Sequence, residues 1–66
     1  MTEDPLAQAR RHVLEGEQQV AEQLERIERM RTSGDSKQSI ASAEVTLVLL
    51  RQNLERARER LARATP

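Results

Sequence analysis

Apolar residues recur through the second half of the chain at Ile40, Ala43, Leu47, Leu50, Leu54, Ala57, Leu61 and Ala64, alternately three and four apart. That alternation is the a/d seam of a helix that packs lengthwise on another helix. The first half carries two matching rows. Leu6, Val13, Val20 and Ile27 recur every seven residues, and Ala9, Gly16, Gln23 and Met30 fill the complementary positions. Leu24 stands beside Gln23 and is expected to broaden this stripe. On the polar side, Glu22 with Arg26 and Glu25 with Arg29 are in the i,i+4 order that supports a helix.

The punctuation of the chain agrees with two helices. Asp4 suits an N-cap, and Pro5 suits a first helical turn, where a missing N–H costs nothing. Residues 33–37, Ser-Gly-Asp-Ser-Lys, form the turn signal. Gly34 fits the left-handed position that ends a helix. Asp35 or Ser36 can cap the next one, with Asp35 and Gln38 at capping-box spacing. The pattern predicts an all-α fold, an antiparallel helical hairpin with helices at about 5–32 and 36–64. Residues 1–66 are expected to form this one domain, each helix running roughly 42 Å.

Such a hairpin implies a register. With the turn near Asp35, facing residues have numbers summing to about 70, which sets Gly16 against Leu54, Ile27 against Ala43 and Ala9 against Leu61. Small residues then oppose large ones in five of eight layers, so the helices approach closely and still fill space. Gly16 costs about 1 kcal/mol in a helix interior relative to Ala, and close approach by Leu54 accounts for it.

A second apolar surface lies outside the seam. Ala41, Val45, Val48 and Leu49 flank it on the second helix, and Ala7, Leu14 and Ala21 flank it on the first. The run Val45 to Leu50 is apolar nearly all round, more than two helices can bury. The expectation is a homodimer forming a four-helix bundle, with a tetramer as the larger alternative. Its interface is expected at Leu14, Ala21, Ala41, Val45, Val48 and Leu49.

Composition sharpens this. A chain of 66 residues builds a marginal core without disulfides, metal or association, and this one has no Cys, Phe, Tyr or Trp. Eleven acidic and eleven basic side chains balance, which gives no global pull toward nucleic acid or anionic lipid. No apolar run approaches the roughly 20 residues of a membrane span. The start, Met-Thr-Glu-Asp-Pro, has acids where a signal peptide has bases, so a cytoplasmic location is expected.

Little here suggests chemistry. His12 is the one histidine and reads as a solvent-facing or rim residue; a phosphorelay site would want a Lys-Gly pair after it. His12 and Glu15 share a face, but a di-metal bundle needs several inward carboxylates, and the seam is apolar. No catalytic residue, cofactor or metal site is expected. Gln23 is the polar residue in the seam and is read as structural, either fixing register or turning to the edge and leaving the core to Leu24. Arg51, Arg56, Arg58, Arg60 and Arg63 make the last third basic and are the candidate nucleic-acid contacts. Glu55 and Glu59 interrupt them and no aromatic is present to stack on a base, so a solvated salt-bridge face is the plainer reading.

Gly16-Glu17, then Val20, Gln23, Ile27 and Met30, the turn Gly34-Asp35-Ser36, and Ala43, Leu47, Leu50 and Leu54 form a pattern over residues 16–54. In this the chain resembles a family of short, uncharacterised helical-hairpin proteins from alphaproteobacteria. The resemblance implies a bacterial source and a helical hairpin, and it implies no activity, ligand or catalytic residue. The function expected from the sequence is therefore a non-enzymatic module that binds itself or an unidentified protein partner, a small regulatory or scaffold piece. The competing class is a dimeric nucleic-acid-binding regulator using the Arg51–Arg63 region, which a salt-dependent gel shift would separate from the first.

Overall fold

The computed structural model describes residues 4–66 and consists of two helices, α1 (Pro5–Ser33) and α2 (Lys37–Ala64), packed side by side. No strand occurs among the described residues. The helix ends fall within one residue of the positions expected from the punctuation. The fold class expected from the apolar pattern is the one observed, an antiparallel helical hairpin.

The turn is built by Gly34, which adopts φ 75° and ψ 31°. Its N–H donates to the Arg31 carbonyl at 3.3 Å, and the Asp35 N–H donates to the Met30 carbonyl at 3.0 Å. These two bonds make a Schellman motif and satisfy carbonyls that the end of α1 would otherwise leave open. Ser36 caps α2: its Oγ accepts from the Ser39 N–H at 3.2 Å. The cap is thus Ser36 rather than Asp35, and the Ser36 hydroxyl donates in turn to Ser39 Oγ at 3.0 Å. At the other end Asp4 occupies the N-cap position, but its side chain makes no capping bond. Pro5 has already removed one orphan donor there, and the Asp4 carbonyl accepts from the Gln8 N–H at 3.0 Å.

The seam lies where the 3-4 spacing puts it. All eight α1 positions are buried or half-buried, as are seven of the eight on α2. Ala64 is the exception, because it sits in the last turn at the open end of the hairpin and is exposed. Ile27, at 4% exposure, Ala43 and Leu47 form the buried cluster, with Val20 and Met30 packed against it. The register follows from Gly16. A Cβ placed there would lie 3.1 Å from Leu54 Cδ1 and 3.5 Å from its Cα, so Gly16 faces Leu54 at close range.

Gln23 is half-buried and donates from Nε2 to the Ala43 carbonyl at 2.8 Å. It therefore stays in the seam and ties α1 to the α2 backbone, whereas Leu24 is left 43% exposed and does not broaden the stripe. A single heptad position separates the two outcomes, since Gln23 falls on the d row and Leu24 on the e row. Substituting Ala for Gln23 is expected to remove about 1 kcal/mol through the lost bond. Substituting Leu exchanges the bond for apolar burial, so the melting temperatures should rank Leu above Gln above Ala.

Candidate interaction surface

Taking Leu6 and Ile40 as a positions, the hairpin presents two broad sides. One is marked by the e rows, which face each other across the helices: Arg58 pairs with Glu17 at 3.7 Å and Arg31 with Glu44 at 3.5 Å. All four side chains are about half exposed, so these pairs add little to stability and chiefly mark the side. The b rows lie next to them, with Ala7, Leu14 and Ala21 on α1 and Ala41 and Val48 on α2. The other side is formed by the g and c rows and is polar, with His12, Gln19, Arg26, Thr46, Asn53 and Arg60 along it. Shallow, open grooves on that side are lined by Gln, Glu and Arg side chains.

Among the described residues five large apolar side chains are left open: Leu14 at 65%, Val45 at 60%, Leu49 at 54%, Val48 at 52% and Leu24 at 43%. Leu14, Leu24 and Val48 belong to the e/b side. Ala21 and Ala41 are also exposed on that side. Val45 takes the f position at the back of α2, adjoining Val48. Leu49 takes the c position, 100° round the helix from Val48, so it leans toward the polar side. The sequence pattern had grouped Leu49 with Val48; the two instead sit on opposite shoulders of the α2 back. Leu24 was missed as a surface residue. Its signal is the e row itself, Arg10, Glu17, Leu24, Arg31, in which one leucine interrupts charged residues.

Surface area carries the same message. The chain exposes 5297 Å². A monomeric globular protein of this mass, 7.5 kDa, is expected to expose about 4,200 Å². The extents of 47 × 19 × 16 Å explain the excess, since each helix is covered along one side only. The radius of gyration is 15.1 Å, where a compact 66-residue domain has about 11 Å.

The five C-terminal arginines do not form one strip. Arg51 and Arg58 fall on the e row, with Arg58 engaged by Glu17. Arg56, Arg60 and Arg63 fall on the g and c rows of the other side, where Arg56 donates to Asn53 Oδ1 at 3.5 Å. His12 is exposed and shares its groove with Arg56 and Arg60, cations that disfavour a metal ion beside it. Among the described residues no group of three His, Cys, Asp or Glu side chains converges to hold a metal. No helix of the described residues is long and apolar enough to cross a membrane.

Fold and surface together define the class: a two-helix antiparallel hairpin with one polar and one partly apolar broad side. Compared with known protein families, with curated proteins and with solved structures, the chain has no match in any of the three. The resemblance over residues 16–54 accordingly rests on those residues alone.

Proposed function

We propose that the chain is a non-enzymatic, self-associating hairpin that acts as a small scaffold or regulatory module in the cytoplasm by binding protein. The observation that supports this is the set of large apolar side chains outside the seam, between 43% and 65% exposed. Covering the exposed remainder of one such side chain is worth about 1–2 kcal/mol, so burying several is a large fraction of the stability available to 66 residues. A like hairpin supplies a matching surface, and a helix from another protein can use the same contact.

Sedimentation equilibrium tests the proposal. The wild-type chain is expected to show twice its 7.5 kDa mass at micromolar concentration. Val48→Glu puts an unpaired carboxylate into the contact in both copies and should weaken association on the order of a hundredfold. A folded wild-type chain of monomeric mass would overturn the proposal.

A further inference from the structure

We propose that a second copy of this chain covers the e/b side, with Leu24 and Val48 at the centre of the contact, and that the assembly closes at two copies. The inference rests on the self-association proposed above and adds the face, its central residues and the number.

The charges on this side point to a second copy as the occupant. Glu17–Arg58 and Arg31–Glu44 lie one heptad to either side of Leu24. Each layer thus offers one acid and one base, with the order reversed between the two layers. An in-plane two-fold running along the helices sets Glu17 on Arg58 of the second copy and Arg31 on its Glu44. A two-fold running across them at the height of Leu24 sets Glu17 on Arg31 of the second copy and Arg58 on its Glu44. Every acid in these layers meets a base in either orientation, so the pattern is self-complementary, as an isologous contact requires. Arg51 is the e-row residue between Glu44 and Arg58. The first orientation sets it on Leu24 of the second copy, where its stem covers apolar surface and the guanidinium reaches the rim. The second sets it on its own counterpart, a like-charge contact that favours the first.

Area and polarity set the number. The excess surface of about 1,100 Å² per chain is enough for the roughly 800 Å² that each partner buries in a standard interface. Among the described residues, the e/b side carries three of the five open large apolar side chains, Leu14, Leu24 and Val48, with Val45 adjoining them, and one face-to-face contact uses it up. The other broad side, with His12, Gln19, Arg26 and Arg60, stays in water, and Leu49 stays with it at the shoulder.

The chain has no Cys, so a single substitution provides one thiol per copy. Leu24→Cys and Leu49→Cys are compared with a short bifunctional maleimide, and the untreated proteins are sized by sedimentation and checked for helix by circular dichroism. Both untreated variants should be helical dimers. Leu24→Cys should be trapped as covalent dimer on the order of tenfold faster than Leu49→Cys, because its effective concentration across the contact is higher. A dimer in which Leu49→Cys is trapped as fast or faster overturns the face while leaving self-association standing. A tetrameric mass overturns closure at two copies. A folded wild-type monomer overturns this inference and the proposal beneath it together.

Discussion

Replacing Ile27 by Ala is expected to remove a fifth or more of the hairpin's stability. Ile27 is the least exposed side chain described, at 4%, and sits in the one cluster of buried residues, against Ala43 and Leu47. Ile-to-Ala truncation in a packed core lowers stability by about 2–5 kcal/mol, part from lost transfer and part from the cavity left behind. A domain of this length has about 3–10 kcal/mol in total. The facing residue is Ala43, which cannot expand into the gap. Thermal melts by circular dichroism at one fixed chain concentration check this, since association makes the midpoint concentration-dependent. A loss below 1 kcal/mol would mean that the cluster is not where the hairpin is held together.

Gly16 should give the second large effect, and its sign should depend on the size of what replaces it. The position has ordinary helical backbone, so Ala gains about 1 kcal/mol of helix propensity. The new methyl lies 3.1 Å from Leu54 Cδ1, the movable end of that side chain, and 3.5 Å from Leu54 Cα and Cβ. A small rotation of Leu54 relieves the contact, so Gly16→Ala should be neutral or stabilising by up to about 1 kcal/mol. Gly16→Leu has no such outlet. Its further atoms would run into the α2 backbone and spread the helices, at a cost of about 2–3 kcal/mol. Equal melting temperatures for the Ala and Leu variants would contradict the close approach of the two helices at this layer.

Much of the fold is legible in the spacing of apolar residues because two packed helices bury one stripe each, and a stripe is a local, periodic property. Gly16 against Leu54 was legible too, since a glycine with no turn to make in a long helix calls for a close neighbour. Capping was less so. Asp4 has the right chemistry, but a cap is a matter of which donors remain, and Pro5 changes that count. Ser36 and Asp35 are both competent acceptors, and only the path of the backbone after Gly34 selects Ser36. Gln23 illustrates the same limit: its residue type marks it as unusual in the seam, but its partner is a backbone carbonyl on the other helix. At the surface, apolar character alone placed Val48 and Leu49 together. Their heptad positions, b and c, separate them, and the ion pairs Glu17–Arg58 and Arg31–Glu44 show which side the b row adjoins.

The tight turn at Gly34 also orders events in time. Contacts near it join residues close in sequence: Ile27 and Ala43 are 16 positions apart, while Gly16 and Leu54 are 38 apart. Closing the longer loop from an open chain costs about 0.8 kcal/mol more in chain entropy. The buried cluster lies on the short-loop side, and Leu6, Val13 and Leu61 toward the open end are only half-buried. Folding is therefore cheapest when it starts at the turn and zips outward, with each closed layer shortening the loop left to close. Run in reverse, opening begins at the chain ends, so protection against hydrogen exchange should rise from Leu6 and Leu61 toward Ile27.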